Sequence, residues 1–533
     1  MPGTTAPRPV RDRSWWGWGW ADAHPDDAAC RALGALVPGT LARPLPLPRV
    51  ADLPIGAPAV EPPRSLAPLV THDPPARAAH AMGKAYRDVA RALRGRPGRI
   101  PDLVAHPACD RDVAELLEWA AEREVAVIPY GGGSSVVGGV EYRGRAHRAV
   151  LSLDLTAMDR VLEVDTVSRA ARIQAGILGP ALEARLRPQG LTMRHFPQSF
   201  EFSTLGGWLA TRAGGHYATG RTHIDDFAQS LSVVTPAGTS ASWRLPASGA
   251  GPSPDRLFLG SEGSLGVITE AWMRLQERPR HKASASVSFT DLHAALPAVR
   301  ALARSDLAPA NCRLLDSGEA ALSGAARDGR AVLVIGFESA TAPVADRLGQ
   351  ALDLARSHGG HAVGPASSGA PGDTAVGAWR SAFLRMPYLR DGLARMGAVT
   401  ETFETATTWD RLPALIDAVR QEVGAAALEA TGHPAMVNCR LTHVYPDGAA
   451  PYFTVIAGGR PGDEVAVWDD LKAVASDVLH RHRATITHHH AVGRDHRAHY
   501  DLQRPEPFGL ALRAVKQALD PRGVLNPGVL VGD

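Results

Sequence analysis

Three consecutive imidazoles, His488, His489 and His490, form the densest group of chemistry-bearing side chains in this sequence. Histidine changes charge near neutral pH, so such a run can accept a proton, release one or meet an anion. The span from His480 to His499 holds seven of the chain's 21 histidines (480, 482, 488, 489, 490, 496 and 499), which raises metal binding as a rival use. Adjacent residues of a regular element cannot all reach one ion, and no carboxylate or cysteine stands at ligand spacing beside them. No metal is therefore expected.

Three stretches of small residues have a different chemistry. Gly131-Gly132-Gly133-Ser134-Ser135 follows the apolar run VAVIPY, which contains Pro129. Glycines permit positive φ, so successive backbone N–H groups can converge on a phosphate. The stretch is neither a GxGxxG fingerprint nor a P-loop, and by itself it reads equally well as a tight turn. The second stretch places Gln198, Ser199, Ser203, Thr204, Gly206 and Gly207 at the opening of a short helix, and Thr211, Ala213 and Gly214 at its end. The third, GSEGSLGVIT, contributes Glu262, Gly263, Gly266, Val267 and Ile268. Such loops let a phosphate or a flat ring approach the backbone, and together they point to a nucleotide cofactor.

At 533 residues the chain exceeds one hydrophobic core, so two or three domains must position these groups. With 57 basic and 55 acidic residues and no charged run, nucleic acid is not an expected partner. Cys30, Cys109, Cys312 and Cys439 lie far apart, which predicts reduced, buried thiols and a cytoplasmic setting. The N-terminus lacks the apolar core of a signal peptide, and no apolar run is long enough to span a membrane.

Residues 1–95 read as a Pro- and Trp-rich extension followed by a helix over 77–93, with residues 1–12 open to reading as a disordered leader. RSWWGWGW reads as an aromatic anchor laid over another domain. From residue 96 to 278, strand, helix, strand and glycine loop succeed one another, as at the entrance to a nucleotide site. From 279 to 485, strands alternate with amphipathic helices, predicting a sheet covered on one face. Residues 486–533 carry the histidines and end in a helix before Asp520-Pro521.

The order GGGSS, PQSFEFSTLGGWLATRAGG, GSEGSLGVITE resembles the FAD-binding domain of the vanillyl-alcohol oxidase/p-cresol methylhydroxylase superfamily. More specific stretches are similar to the alkyldihydroxyacetonephosphate synthase family: WGWGW at 16–20, THD at 71–73, RIPD at 99–102, CRLLD at 312–316, PYLRD at 387–391, ETFET at 401–405, NCR at 438–440, Tyr452-Phe453 and THHHAVG at 487–493. The resemblance implies an α+β fold: a two-subdomain FAD-binding domain of the p-cresol methylhydroxylase type, an α/β cap, and a C-terminal segment returning to the FAD domain. It also implies FAD as cofactor, and a reaction that exchanges the acyl chain of acyl-dihydroxyacetone phosphate for a fatty alcohol through a flavin N5 adduct. That reaction makes an ether lipid with no net redox change. By motif match, Tyr452 is the acid/base, His488, His489 and His490 assist proton transfer beside the flavin, and Arg313 and Arg390 hold phosphate or carboxylate, with Arg440 as a further candidate.

Each role has a plainer rival: Tyr452 as a core tyrosine, Arg390 and Arg440 as ion-pair partners. The first glycine loop has no histidine, so FAD is expected to be non-covalent. It has serine where the synthases usually carry threonine. No peroxisomal address is visible at the C-terminus. The alternative reaction is oxidation of a 2-hydroxy acid such as D-lactate or glycolate by an FAD-linked oxidase or dehydrogenase. A non-catalytic flavin- or metal-binding protein is a third reading, disfavoured because a mere binder needs neither Tyr452 nor the arginines nor the histidine cluster. The expected partner is a small-molecule or lipid substrate, with peripheral membrane contact and a homodimer left open.

Overall fold

The run VAVIPY forms the strand Val125–Tyr130, parallel to Ala149–Asp154, which in turn lies parallel to Leu103–Ala105. These residues belong to a computed structural model that describes residues 11–217, 223–367 and 375–532. The leader before residue 11 and the end of the sequence stretch at 218–220 lie outside the described residues. The amphipathic helix Asp110–Glu122 covers the parallel sheet with Val113, Leu116, Leu117 and Ala120, all fully buried or nearly so. The short strand Val70–Thr71 closes the other edge antiparallel to Leu103–Ala105.

A second, antiparallel sheet follows in the order Val161–Asp165, Ala170–Gln174, Val267–Arg274, Ala228–Thr235, Gly238–Ala241. The helix Leu205–Thr211 packs Leu205, Trp208 and Leu209 into the apolar cluster beneath this sheet. Two subdomains thus meet where the glycine stretches emerge.

The cap is one sheet whose described neighbours all pair antiparallel, in the order His361–Ser367, His281–Phe289, Ala331–Ser339, Asn311–Leu315, Met436–Val444, Gly448–Ala457, Val399–Glu404. Helices Leu292–Arg304, Ala345–Ser357, Leu412–Thr431 and Glu464–Arg481 bury their apolar residues against one face of it. The opposite face is turned toward the FAD-type domain.

Two expectations change on folding. The helix over 77–93 is two helices, Pro74–Ala79 and Tyr86–Leu93. The chain between them runs against the glycine loop: Lys84 N donates to Ser135 O at 2.6 Å, and a Cβ on Gly83 would stand 2.3 Å from that oxygen. Of the four free cysteines, Cys109 is exposed rather than buried, because it precedes the first turn of the helix Asp110–Glu122 at the surface.

The last residues return to the first sheet. Val127 N donates to Val524 O and Asn526 N to Val127 O, so Leu525 adds a parallel bridge on the open edge of Val125–Tyr130. At the other terminus, Trp16 and Trp18 are buried. Arg13 Nη2 donates to Gly132 O at 2.8 Å, and Trp18 N donates to Asp391 Oδ2 at 2.6 Å, so this segment touches both domains. Among the described residues no helix is long and apolar enough to cross a membrane.

Candidate active site

The three stretches of small residues meet at one cavity of about 380 Å3 between the two domains. Its wall includes Pro129, Gly131, Gly132, Gly133, Ser134, Ser135, Gln198, Ser199, Ser203, Thr204, Gly206, Gly207, Thr211, Ala213, Gly214, Glu262, Gly263, Gly266, Val267 and Ile268. Arg313, Arg390, Arg440, Tyr452, His489 and His490 line it as well; His488 does not.

The glycines of the first loop are needed for a reason other than access to a ligand. A Cβ on Gly132 would stand 1.7 Å from Phe202 O, and one on Gly131 would stand 2.2 Å from the Thr204 hydroxyl. Gly133 sits at φ +65°, against the Tyr130 hydroxyl. The first loop is thus pressed onto the opening of the helix Leu205–Thr211, where Thr204 caps Gly207 N. Gly260 N and Glu262 N bond the carbonyls of Leu209 and Ala210, which fastens the third stretch to the same helix. Ser135 Oγ accepts from Val137 N and Gly139 N, so it shapes its own loop.

Strand alternation supplies the opposite wall. On Met436–Val444, Cys439 and Leu441 point into the helix-covered core while Arg440 and Thr442 face the cavity. On Gly448–Ala457, Phe453 and Val455 point inward while Tyr452, Thr454 and Ile456 face the cavity. Arg313 takes the same position between buried Cys312 and Leu314.

The three arginines differ in their surroundings. Arg440 is paired with Glu319 at 2.7 Å, both buried, and lies over the Tyr452 ring with its Cζ 3.7 Å from the centroid. Arg390 is held by Asp391 and by Lys84 O. Arg313 contacts His216 O at 3.3 Å, and burial together with the neighbouring Arg440 pulls its guanidinium down to about 9. Burial raises the Tyr452 hydroxyl above its ordinary value, against the opposing pull of Arg440.

The histidine segment is shaped by a carboxylate that is remote in sequence. Glu404, at the end of the strand Val399–Glu404, accepts from the backbone N–H groups of His488, His489 and His490 at 2.7, 3.0 and 2.9 Å, and from the Thr487 hydroxyl at 2.6 Å. Burial opposes ionisation of Glu404, yet the imidazoles of His489, His490 and His488 and the Thr487 hydroxyl hold its carboxyl well below the usual range. Burial pulls His488 and His489 down to about 3 and His490 to about 4, so the three rings are neutral at physiological pH.

Glu262 bolts the far end of this segment. Its carboxylate accepts from Val492 N and Gly493 N, and burial pushes it up to about 7 in spite of those two donors. Gly493 adopts φ +54° directly beneath Val137 O, which only glycine tolerates there.

Three contributors were given no role in the sequence reading: Glu404, which lies in the ETFET stretch, Glu319 and His443. His443 reaches the cavity because the ladder slips between Leu441 and His443, so that Thr442 and His443 both line it. A bulge of this kind re-aims one side chain and leaves no mark in residue type. Glu404 also alters the metal question. Its oxygen and the nitrogens of His489 and His490 lie within 4.8 Å of one another, as do nitrogens of His443, His488 and His489. No carboxylate stands at ligand spacing in the sequence; folding brings Glu404 beside the imidazoles from the cap sheet.

The wall suits FAD. Loop amides and the hydroxyls of Ser134 and Thr204 offer donors for a pyrophosphate, and the small residues Ala213, Gly214 and Gly207 leave a flat passage toward the imidazoles.

Residues 101–242 match the family described as FAD binding domain, and residues 278–530 match FAD linked oxidases, C-terminal domain. The alkyldihydroxyacetonephosphate synthase of Trypanosoma brucei brucei is 30% identical over 483 residues, covering 86% of this chain and 77% of that protein. A solved alkyldihydroxyacetonephosphate synthase superposes with a TM-score of 0.81 at 25% identity, over 98% of this chain and 99% of that one. p-Cresol methylhydroxylase shares the fold, with a TM-score of 0.68 at 14% identity over 88% of this chain and 95% of that one.

Proposed function

The chain belongs to the alkyldihydroxyacetonephosphate synthase family, and from that premise we propose that its interdomain cavity exchanges the acyl chain of acyl-dihydroxyacetone phosphate for a fatty alcohol. The observation that carries this reading is the composition of one end of the cavity. Beyond Tyr452 and His489 the same wall is built from Leu36, Val37, Leu322, Met386, Leu389 and Met436. Leu36 is 73% exposed and Leu322 41%, so this apolar stretch opens to the outside. An aliphatic chain gains from such a lining, by about 0.8 kcal/mol per buried CH2, whereas a 2-hydroxy acid has no use for it. The exposed leucines also suit contact with a lipid surface.

In this reading the loops at 131–135, 203–207 and 262–268 hold FAD without a covalent link. Bound FAD supplies the nucleophilic ring nitrogen and the electron sink of the exchange. Tyr452 moves a proton at its hydroxyl. Arg440, anchored by Glu319, fixes the Tyr452 ring and favours the phenolate when the proton leaves. His489 and His490, neutral and on the wall, receive the proton of the incoming alcohol. Arg313 offers its charge to the substrate phosphate or the departing carboxylate, a task suited to a planar donor fork. Arg390 is placed by Asp391 and lies nearer the apolar end. We take the division at 96–278, 279–485 and 486–533 as the working domain plan.

The test is anaerobic flavin absorbance of the purified protein with acyl-dihydroxyacetone phosphate, then hexadecanol. Fatty acid release with the flavin oxidised at the end supports the exchange. Lasting bleaching by D-lactate or glycolate would replace it with an oxidoreductase.

A further inference from the structure

A second cavity, of about 750 Å3, lies on the other side of the histidine segment and is walled by Thr407, Arg411, Tyr445, His480, Thr485 and Gln503. Arg411 and His480 are exposed, so this cavity belongs to the solvent side of the cap. Between the two cavities stands His488, the one histidine of the three that is off the interdomain wall. Both of its ring nitrogens are engaged: Nδ1 lies 3.1 Å from His489 Nδ1, and Nε2 is hydrogen-bonded to the Tyr445 hydroxyl. The His488 backbone is pinned, because its carbonyl accepts from His223 Nε2 at 2.8 Å and its N–H is held by Glu404.

We propose that His488 and Tyr445 form a proton path leading from His489 on the interdomain cavity to the solvent of the second cavity. The path rests on the acyl exchange proposed above for its direction and purpose. In that exchange an alcohol loses its O–H proton and a fatty acid leaves as its carboxylate, so acyl substrate plus alcohol gives ether plus carboxylate plus one net proton per turnover. While aliphatic chains fill the apolar end of the cavity, that proton has no aqueous exit there. Glu404 cannot absorb it, since its carboxylate is committed to three amides and a hydroxyl.

The transfer balances atom by atom. His489 takes the proton at its far nitrogen and passes its Nδ1 proton to His488 Nδ1. His488 passes its Nε2 proton to the Tyr445 oxygen, and Tyr445 passes its hydroxyl proton to water. One proton crosses and no charge stays behind; the rings then regain their first tautomers by turning about their side-chain bonds, which carries no proton back. Neutral imidazoles are what such a chain needs, because each then carries one donor and one acceptor nitrogen.

The experiment uses the FAD-loaded Tyr445→Phe enzyme, which keeps the ring and removes only the relay oxygen. Turnover should fall by about tenfold or more with KM unchanged. Wild-type turnover overturns the path. In parallel, exchange of the His489 ring N–H with water is followed by NMR on 15N-histidine protein; it should slow in Tyr445→Phe. Unchanged or faster exchange overturns the path as well. Should the wild type release no fatty acid at all, the exchange reading of the reaction fails, and the NMR comparison still decides the path.

Discussion

Arg440 lies flat against Tyr452, its guanidinium carbon 3.7 Å from the ring centroid, while its Nη1 bonds buried Glu319 at 2.7 Å. A fully buried cation is thereby set under a phenol that faces both the cavity and the imidazoles of His489 and His490. The ring is positioned by charge as well as by packing. Tyr452→Phe should keep FAD and lose about 100-fold or more in turnover, the usual weight of a positioned acid/base. Near-normal turnover would return Tyr452 to a packing role.

Removing the cation is a different experiment. Arg440→Met leaves Glu319 buried without its partner, and breaking one side of such a pair costs about 3–5 kcal/mol. The midpoint of urea unfolding should fall accordingly. The Glu319→Gln/Arg440→Met double variant should regain part of that loss while remaining poorly active. A double variant no more stable than the single one would show that the pair is not the source of the effect.

Glu404 gathers three successive backbone N–H groups onto one carboxylate. Glu404→Gln offers one carbonyl oxygen and an amide that repels those donors, so at least one buried N–H loses its acceptor, at about 1–3 kcal/mol. Amide hydrogen exchange should rise at 487–490 and turnover should fall. Protection unchanged from wild type would refute the anchoring role.

A methyl group at Gly132 has nowhere to go, with Phe202 O at 1.7 Å from its position. Gly132→Ala should therefore shift the first loop and lower FAD content, measured as the ratio of absorbance at 450 to 280 nm. Acid precipitation of the wild type should leave the flavin in the supernatant; colour in the pellet would mean a covalent bond.

Acid should destabilise the protein before it titrates surface carboxylates. His195, His488 and His489 fold with values near 3 and His490 near 4, below the ordinary 6.5. As pH falls below about 6.5 the unfolded chain takes up protons that the folded state refuses, so each buried imidazole removes on the order of 1 kcal/mol per pH unit until its folded value is reached. Glu262, raised to about 7, has the opposite sign: its contribution is complete below the ordinary 4.5 and is lost as pH rises through 7. Four imidazoles outweigh two carboxyls, Glu262 and Asp88, the latter likewise pushed up to about 7 by burial, so Tm should drop between pH 7 and pH 5, and His490→Gln should flatten that drop. An unchanged slope in the variant would sink this account.

What the sequence made legible was whatever residue type alone enforces. Gly133 and Gly493 need positive φ, the small residues around the helix Leu205–Thr211 need close approach, and the alternation of Tyr452 with Phe453 sets one residue on each face of a strand. What it hid depends on partners brought together by folding. The carboxylate of Glu404 reaches the histidines across the cap, the slip at Leu441 turns His443 inward, and Ser135 breaks the helix over 77–93 by occupying the space beside Gly83. Even the glycine triplet was read correctly in kind and incompletely in cause, since its nearest neighbours are protein atoms.

The strand Val125–Tyr130, which feeds the first glycine loop, keeps one edge unpaired until Leu525 docks on it. On a ribosome that partner emerges roughly 400 residues later, a delay of about 20–80 s at ordinary synthesis speeds. Through that interval the nascent chain carries an open sheet edge that invites pairing with other chains. Full cofactor loading is therefore expected only after this edge has closed. A chain stopped a dozen residues short keeps every loop that would touch FAD and lacks the bridge that closes this edge, so it should hold little flavin and bind chaperones.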